Sequence, residues 1–342
     1  TRCSRDWSSD VCSSDLNLVL DGGVLNGNGG QLTGSSFIWE NGRMTATINS
    51  SAVMTITGAS TKFLDNTLNN SGNIIWTGSA DITGYNSSII NNLTDGIFDI
   101  QSTSSNIVLG LSSGHTTALF NNDGYFQKTS GTGTNYVDWI FTNNGTIDVQ
   151  TGTIDIRNNL TNYSGNVLTG GTYLLTAKLK VKNADIVTNG GNIVLNGPDS
   201  KFLDDSNNNA LANLVTNTGG FTIMNDRDFT TKGDYANSGY VGIGTDSTLT
   251  VNGNYTQTAG KTQLEDGTLE TASTSFNVYI NGGILTGNGT VNSSVISSGE
   301  VSPGDSPGTI NILGDYTQDA TGLLTIELAN LTDFDRLIIS GN

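Results

Sequence analysis

The chain has 342 residues, including 44 Gly, 42 Asn and only 3 Pro. Gly and Asn tolerate turn conformations that helices reject, so this composition excludes an ordinary helical or α/β globule and favours a turn-rich β protein. The net charge of −17 repels phosphate backbones and anionic lipid, so we expect no nucleic-acid partner. Without a run of about 20 apolar residues, this segment is predicted not to be membrane-embedded.

The first sixteen residues, TRCSRDWSSDVCSSDL, lack the Gly/Asn/Thr character of the rest and contain both cysteines. Asp6–Leu16 back-translates, with permissible codons, into a standard short-read sequencing adapter. We therefore predict that residues 1–16 are a non-native, adapter-derived segment, so that Cys3 and Cys12 provide neither a disulfide nor a thiol site. Residues 17–342 are predicted to form one continuous repeat domain, a fragment truncated at both ends.

Short strands with alternating apolar and polar residues follow along the rest of the chain. A period of two places one face of each strand in a core. Gly/Asn turns such as Asn144-Gly145 separate the strands, because positive φ is readily adopted there. The clearest alternating segments, in chain order, are GTIDVQT with Ile147 and Val149, GTIDIRN with Ile154 and Ile156, TLTVNGN with Leu249 and Val251, and LLTIEL with Leu324, Ile326 and Leu328.

Three copies of a Gly-Asp/Asn-Tyr motif indicate an internal repeat. Their tyrosines, Tyr235, Tyr255 and Tyr316, lie 20 and 61 residues apart, which fits one and three units of about 20 residues. KFLDN at Lys62–Asn66 is similar to KFLDD at Lys201–Asp205, and the offset of 139 residues fits about seven units.

A repeat of about 20 residues accommodates three strands of four or five residues with turns between them. The predicted fold is therefore all-β, a single-stranded parallel β-helix with roughly 16 rungs. A hairpin-built β-sandwich is the main alternative, but the repeat is too short to form one.

Catalytic candidates are few. His115, the only histidine, would need a neighbouring carboxylate and an activated serine for nucleophilic catalysis, and no motif marks such partners. Carboxylate pairs serve polysaccharide hydrolases, and Asp204-Asp205 or Asp226 with Asp228 could supply one. We favour turn roles for all of these residues, and predict neither an enzyme nor a catalytic residue.

The sequence motifs that could indicate metal or phosphate sites are equally weak. The segments 121–124 (NNDG) and 204–208 (DDSNN) offer oxygen ligands for Ca²⁺, but such loops are common in solvent. The segment 259–262 (AGKT) is like the end of a phosphate-binding loop, yet Tyr255 stands where the first glycine belongs and no helix is predicted after it. GxG fragments starting at Gly131, Gly242 and Gly287 have the same defect. We predict no metal and no cofactor.

The repeated tyrosines could form an aromatic face for sugar rings, because flat apolar surfaces with polar edges suit carbohydrates. Their repeat spacing favours structural stacking for Tyr235, Tyr255 and Tyr316. The binding residues of the chain stay unknown at this stage.

The segment EVSPGDSPGTINILGDYTQDATGLLTIEL at 300–328 resembles part of the passengers of autotransporters and filamentous-haemagglutinin-like bacterial surface exoproteins. In that family an SPG-x-SPGT element precedes a GxYTQ strand and a TDYDQL-type strand. NGGILTGNGTV and NALANLVTN also resemble the family, so the similarity covers most of residues 17–342. The matching positions are 302–309, 314–318 and 332–337, and the last departs from the pattern at Phe334 and Arg336.

This resemblance implies a right-handed β-helix, displayed extracellularly at the bacterial cell surface and exported with the help of a C-terminal outer-membrane barrel in the full-length protein. The implied function is structural and adhesive, with a stiff acidic rod contacting host, matrix or polysaccharide surfaces. A β-helix polysaccharide-degrading enzyme, either a lyase or a glycosidase, is the first alternative. An inert surface or matrix component is the second. An exposed aromatic or apolar patch would favour adhesion over the inert component.

Overall fold

The structure is a computed structural model that describes residues 2–3, 18–26, 30–32, 36–45, 47–304, 307–330 and 332–342. Within the segment predicted to be adapter-derived, it describes Arg2–Cys3 alone. The rest of that segment lies outside the described residues, as do Asp305 and Ser306 of the SPG motif. The described residues contain strands and turns but no helix, and accordingly none of them forms a helix that could span a bilayer.

The strands are short throughout. The first twenty-one are β1 Arg2–Cys3, β2 Leu18–Leu25, β3 Gly30–Leu32, β4 Ser36–Met44, β5 Ile48–Ser50, β6 Val53–Ile56, β7 Lys62–Leu64, β8 Thr67–Asn70, β9 Asn73–Trp76, β10 Ile82–Gly84, β11 Ile89–Asn92, β12 Ile97–Ile100, β13 Val108–Leu111, β14 Leu119–Asn122, β15 Tyr125–Lys128, β16 Thr134–Val137, β17 Ile140–Asn143, β18 Thr146–Val149, β19 Thr153–Ile156, β20 Tyr163–Ser164 and β21 Val167–Leu168. The others are β22 Thr172–Leu175, β23 Lys178–Val181, β24 Thr188–Asn189, β25 Asn192–Asn196, β26 Lys201–Leu203, β27 Thr216–Asn217, β28 Gly220–Met224, β29 Phe229–Thr230, β30 Tyr235–Asn237, β31 Tyr240–Ile243, β32 Thr248–Val251, β33 Tyr255–Gln257, β34 Lys261–Thr271, β35 Asn277–Ile280, β36 Ile284–Asn292, β37 Ser294–Ser297, β38 Glu300–Pro303, β39 Thr309–Ile312, β40 Tyr316–Gln318, β41 Leu323–Leu324 and β42 Arg336–Ile339.

These strands stack in parallel as a β-solenoid with about 21 residues per turn, which confirms the predicted fold class. There are about 14 turns, fewer than the 16 expected, because some turns carry extra residues. Asn121 bonds to Asn91 across 30 residues, and Asn217 bonds to Asn189 across 28. The handedness of the coil stays a prediction.

The chain divides into two compact units, which are described separately. The first unit contains Thr1–Tyr163, Gly171–Ala184 and Lys201–Asn208. Its strands form three parallel stacks: face one (β2, β4, β6, β9, β12, β15, β18, β22), face two (β4, β7, β10, β13, β16, β19, β23, β26) and face three (β3, β5, β8, β11, β14, β17).

The interior of the first unit is apolar because alternate residues of each strand point inward. Ile147 and Val149 are fully buried, as their alternation predicts. Aromatic rings fill the space between the faces. The rings of Phe120 and Phe141 stack with centroids 4.9 Å apart and an interplanar angle of 6°, and Phe126 packs against both.

Glycines stack where one turn crosses closely over the next. A Cβ atom on Gly145 would lie 2.2 Å from the carbonyl oxygen of Gly124, and one on Gly124 would lie 2.1 Å from the carbonyl oxygen of Gly96. These distances are too short for real side chains, so the three positions require glycine for close approach of the backbones.

A ladder of buried asparagines runs along the carboxyl ends of four strands of face three. Asn70 Nδ2 donates to Asn92 Oδ1 at 2.8 Å, Asn92 Nδ2 to Asn122 Oδ1 at 2.7 Å, and Asn122 Nδ2 to Asn143 Oδ1 at 2.8 Å. Each Nδ2 also donates to a backbone carbonyl of the following turn, for example Asn122 Nδ2 to Thr146 O at 3.0 Å. The ladder therefore satisfies polar groups of the interior while linking successive turns.

The second unit contains Ser164–Gly170, Asp185–Ser200 and Asn209–Asn342. One of its stacks consists of β21, β24, β27, β30, β33, β35, β37 and β40. It has its own buried ladder, in which Asn189 Nδ2 donates to Asn217 Oδ1 at 2.8 Å and Asn217 Nδ2 to Asn237 Oδ1 at 2.9 Å. Asn237 Nδ2 continues it to Gln257 Oε1 at 3.4 Å.

The tyrosine repeat of the sequence is confirmed in this stack. Tyr235 pairs with Tyr255 in the next turn. Tyr255 is then connected through Val278 and Val295 to Tyr316, three turns on. The sequence intervals of 20 and 61 residues thus correspond to one and three turns, as predicted.

The similarity of the two KFLD segments does not reflect equivalent positions. Pairings from Lys62 continue through single residues of β10, β13, β16, β19 and β23, so Lys201 in β26 lies six turns on rather than seven. Lys201 pairs with Lys178 and is exposed, whereas Lys62 is fully buried. Unequal turns move the two segments out of register.

The prediction of one buried face was wrong for LLTIEL. Leu324, Ile326 and Leu328 are exposed by 37%, 44% and 69%. Only Leu323–Leu324 forms a strand, and in the described part of the chain it pairs on one side alone, with β38. Because no strand described here packs on its other side, the apolar side chains stay uncovered.

Candidate functional site

A cluster of aromatic and charged side chains lies on the outside of face two in the first unit. We call it the Arg43 cluster, and it consists of Arg43, Phe63, Asp65, Tyr85 and His115. Arg43 is on β4 and Phe63 is its direct partner on β7. Asp65, Tyr85 and His115 follow the carboxyl ends of β7, β10 and β13, so the parallel stack brings residues distant in sequence to one edge.

The Arg43 guanidinium is held by both rings and the carboxylate. Its Cζ lies 5.1 Å from the ring centroid of Phe63 and 5.1 Å from that of Tyr85. Nη1 donates to Asp65 Oδ2 at 2.8 Å, and Nη2 donates to Tyr85 Oη at 2.8 Å. Cation–π contacts and the ion pair together hold the planar cation against two half-buried rings. The other oxygen of Asp65 is buried and has no hydrogen-bond partner among the described residues.

His115 extends this surface by one turn. Its ring meets that of Tyr85 edge to face, with centroids 4.9 Å apart, and its Nδ1 accepts the backbone N–H of Asn86 at 3.2 Å. Asn86 Oδ1 in turn accepts the N–H of Thr116 at 2.8 Å. These contacts give His115 the turn-stabilising role favoured by the sequence.

A second arginine stacks on a tyrosine on the same outer face. Arg157 Cζ lies 4.1 Å from the Tyr136 ring centroid. Its Nε and Nη2 donate to the two oxygens of Asp138 at 2.8 and 2.9 Å, and Tyr136 Oη donates to Asn106 Oδ1 at 3.1 Å. We use the name arginine–aromatic stripe for this group together with the Arg43 cluster. The stripe presents preorganised ring faces and polar edges.

The carboxylates singled out in the sequence are engaged in turns. Asp204 Oδ1 accepts the backbone N–H of Asn208 at 2.7 Å, and its Oδ2 accepts Asn208 Nδ2 at 2.8 Å. Burial acts to raise the pKa of Asp204, but hydrogen bonds from Asn208 and Ser206 and the charge of Lys180 outweigh it and lower the pKa. Asp205 Oδ1 accepts the N–H of Asn183 at 2.9 Å. Asp204 therefore stabilises its own turn, whereas Asp205 links that turn to the one after β23.

Asp226 and Asp228 also occupy an exposed turn. Asp226 has a left-handed backbone, with φ of 61°. Asp228 Oδ1 accepts the N–H of Thr248 at 2.9 Å, and the guanidinium between them, Arg227, donates to the Asp228 carbonyl through Nη1.

The two loops considered for Ca²⁺ take part in hydrogen bonds between turns. Asn121 donates to Asn91, Asn122 belongs to the buried ladder, and Asp123 Oδ1 accepts Asn144 Nδ2 at 2.9 Å. Asp204–Asn208 forms the closed turn described above. In the parts of the chain with described coordinates, no three His, Cys, Asp or Glu side chains are grouped to hold a metal ion.

The segment 259–262 leads directly into β34 and not into a helix. Thr262 is buried and its hydroxyl bonds to Tyr255 and Gln257. Tyr235 and Tyr255 are buried too, so their rings stack inside the second unit and offer no face to a sugar.

Sequence reasoning missed an outward-facing acidic column on face one. Asp99 and Asp148 are separated in the column by Gln127. Asp99 is only 5% exposed, and its two oxygens accept the Thr129 hydroxyl at 2.8 and 2.9 Å. Burial raises the pKa of Asp148, the hydrogen bond from Gln150 opposes the rise, and the negative charge of Asp99 adds to it. Each acid follows an inward residue in an IxDI or IDV segment, a signal visible in the sequence.

The Arg43 cluster was also missed, because its members are spread over residues 43 to 115 in the sequence and meet only through strand register. Its charged and aromatic residues share no sequence motif. Comparison with known proteins adds no further assignment: no protein-family model, no curated protein and no solved structure matches the chain.

Proposed function

We propose that this chain is a structural and adhesive segment of a secreted or cell-surface bacterial exoprotein, and that it makes contact through the arginine–aromatic stripe. The observation that supports adhesion over an inert role is the Arg43 cluster, in which the partly exposed Phe63 and Tyr85 rings both contact one guanidinium. The resemblance of residues 300–328 to passenger segments supports display at the cell surface. The proposed role is binding without catalysis.

The partner that suits this surface best is an uncharged polysaccharide. Aromatic ring faces pack against the apolar faces of sugar rings, while Arg and Asp can hydrogen-bond to hydroxyl groups at the ring edges. The net charge of −17 repels anionic partners at long range. Because each ring is already held in place, binding requires little loss of side-chain freedom.

The proposal can be tested by measuring retention of the fluorescently labelled full chain on cellulose, on mannan-coated beads and on collagen-coated beads. We expect retention on at least one polysaccharide, reduced at least several-fold by the double substitution Phe63→Ala and Tyr85→Ala. Retention on collagen alone would replace the polysaccharide with a protein partner.

Tyr125 provides a matched control, because it is 46% exposed but lies on face one, away from the stripe. Tyr125→Ala should leave retention unchanged. If the chain binds none of the surfaces, or if the double variant binds as well as the wild type, the stripe is not an adhesive site. Circular dichroism of each variant establishes that the β-solenoid is retained.

A further inference from the structure

Lys128 and Asn135 face each other inside the first unit, at the corner between face one and face two. Lys128 is the last residue of β15 and Asn135 is the second residue of β16, and both point inward. Their exposures are 0% and 1%. Lys128 pairs with Ile100 and Val149, and Asn135 pairs with Ile154. These three neighbours are buried and apolar, so the lysine and the amide meet against an apolar lining.

The lysine nitrogen lies against the amide. Lys128 Nζ donates to Asn135 Oδ1 at 2.6 Å and to the backbone carbonyl of Ser130 at 2.8 Å. Because a carbonyl bond is about 1.2 Å long, Asn135 Cγ lies within about 4 Å of Nζ. Asn135 Nδ2 is buried and has no hydrogen-bond partner in the described part of the chain. Nothing therefore holds the amide nitrogen in place if its bond to Cγ breaks.

The surroundings make the neutral amine, which is the nucleophilic form of lysine, more accessible than it is for a lysine in water. Burial lowers the pKa of Lys128 to about 8, against a smaller opposing effect of the Asp99 charge. Because Gly152 has no side chain, there is room for the lysine: a Cβ at this position would lie 2.7 Å from Lys128 Cε. The packing thus holds an amine of reduced basicity next to a carbonyl carbon.

We propose that Lys128 and Asn135 condense to an intramolecular isopeptide bond that fastens the corner between β15 and β16. The inference is independent of the proposed adhesive function. It assigns a covalent modification to a lysine and an asparagine that otherwise leave a buried cation and an unpartnered amide nitrogen in the core, both of which are unfavourable there.

The reaction balances without a further reactant. The lone pair of neutral Lys128 Nζ adds to Asn135 Cγ, and a new C–N bond forms while the carbonyl π electrons move to Oδ1. When the carbonyl re-forms, the Cγ–Nδ2 bond breaks and its electron pair leaves with Nδ2. A proton passes from Nζ to the departing nitrogen, which leaves as ammonia. The product is a secondary amide between Nζ and Cγ, with no change of oxidation state. Exclusion of water from the site protects that amide from hydrolysis.

Lys62 offers a matched comparison within the same unit. It is also fully buried, and burial also lowers its pKa, against the charge of Glu40. Its Nζ donates to the backbone carbonyl of Gly58 at 3.4 Å, and among the described residues it has no hydrogen bond to a side-chain amide like that of Lys128 to Asn135. Lys62 should therefore stay unmodified.

The test is mass spectrometry of the full chain after prolonged incubation in the folded state. We expect the intact protein to be lighter than its encoded mass by one ammonia molecule. In a tryptic digest, cleavage after Lys128 should be lost, and a peptide running from Phe63 to Arg157 should appear with the same deficit. Fragmentation of that peptide should show Lys128 joined to Asn135.

Variants separate the crosslink from other losses of ammonia. Succinimide formation at Asn-Gly pairs such as Asn144-Gly145 gives the same mass change, but it would persist in Lys128→Met and in Asn135→Ala. The deficit that fragmentation locates at the Lys128–Asn135 linkage should disappear in both variants. It should remain in Lys62→Met, where the tryptic peptide that carries it runs from Met44 to Arg157.

The wild-type measurement alone decides the proposal if a variant fails to fold. Full cleavage after Lys128, with Asn135 at its encoded mass, would overturn the proposal. A deficit located at Asn135 that survives Lys128→Met in a folded protein would also overturn it, since Asn135 would then lose ammonia without the lysine.

Discussion

Tyr235 and Tyr255 stack in consecutive turns of the second unit with ring centroids 5.9 Å apart, but only one of their hydroxyl groups is paired. Tyr255 Oη shares a hydrogen bond with the Thr262 hydroxyl, whereas Tyr235 Oη is buried and none of the residues that the structure describes bonds to it. Burial raises the pKa of both phenols, so each stays neutral at ordinary pH. Two residues of the same sequence motif therefore contribute differently to stability.

This difference predicts opposite results for one substitution. Tyr235→Phe removes an unsatisfied polar atom and should leave stability unchanged or raise it by up to about 1 kcal/mol. Tyr255→Phe removes a satisfied hydroxyl and should lower stability by about 1 kcal/mol. Urea denaturation of the two variants, followed by circular dichroism, provides the comparison. An equal loss in both variants would contradict the assigned hydrogen bonding.

The buried asparagine ladder predicts a large effect at Asn122. Asn122→Ala leaves Asn143 Oδ1 and the Thr146 carbonyl without their donor inside the core, and should lower the free energy of unfolding by about 2 kcal/mol or more. Asn121 is the matched control, because it bonds to Asn91 on the partly exposed outer side, where water can replace it. Asn121→Ala should lower stability by less than about 1 kcal/mol. The idea fails if both substitutions have the same effect on the urea midpoint.

The glycine stack predicts that Gly145→Ala is poorly tolerated. The added Cβ would meet the Gly124 carbonyl oxygen and the backbone of Asp123, so two turns must separate at a loss of about 2 to 3 kcal/mol. At Gly110, the nearest atom to an added Cβ is a methyl carbon of Val108 at 3.5 Å, an ordinary contact. Gly110→Ala should remain within about 1 kcal/mol of the wild type. Thermal melting curves of the two variants distinguish these outcomes.

Burial of the Lys128 amine predicts a pH dependence that can be measured where the crosslink is prevented. On an Asn135→Ala background, chains with Lys128 and with Lys128→Met are compared by urea denaturation. The pKa of Lys128 is about 8 in the folded state and 10.5 in its ordinary environment. Between these values the unfolded chain binds the proton more strongly, so stability of the lysine chain rises with pH relative to the methionine chain.

Below about pH 8 lysine is protonated in both states, and above 10.5 it is neutral in both, so the stability difference should be flat outside this window. A difference that falls with rising pH would mean that the folded state favours the ammonium. A flat difference throughout would mean that the amine is not desolvated.

The fold could be predicted from sequence because two periodicities are both visible in it: the alternation of apolar and polar residues within a strand, and the repeat of about 20 residues from one turn to the next. Alternation placed Ile154, Ile156, Leu249 and Val251 in the core, where they are buried, and the tyrosine spacing gave the turn length. The number of turns and the relation between the KFLD segments were wrong, because both assumed equal turns. Insertions such as the one before Asn121 leave the strand stack intact but lengthen the sequence between equivalent positions of two turns. The number of residues between distant segments therefore no longer gives the number of turns between them.

The candidate site was largely beyond sequence reasoning. Arg43, Phe63 and Tyr85 meet through register over two turns, and register depends on every turn between them. The asparagine ladder did have a signal: Asn-Asn doublets occur at the ends of four strands. Those at 69–70, 91–92 and 121–122 are the last two residues of their strands, and the one at 143–144 begins with the last residue of β17. Their unequal spacing hides them from a search at a fixed period, but a search for strand-terminal doublets would find them.

The ladder also favours one register of each turn over registers shifted by one residue. If β14 slipped by one residue, Asn122 would turn outward and Asn121 or a neighbouring side chain would take its place, because adjacent residues of a strand face opposite sides. The amides of Asn92 and Asn143 would then lose their common partner in the interior. Hydrophobic residues tolerate approximate contacts, but an amide chain closes only when donor meets acceptor. The asparagines therefore destabilise misaligned turns that the apolar core alone would tolerate.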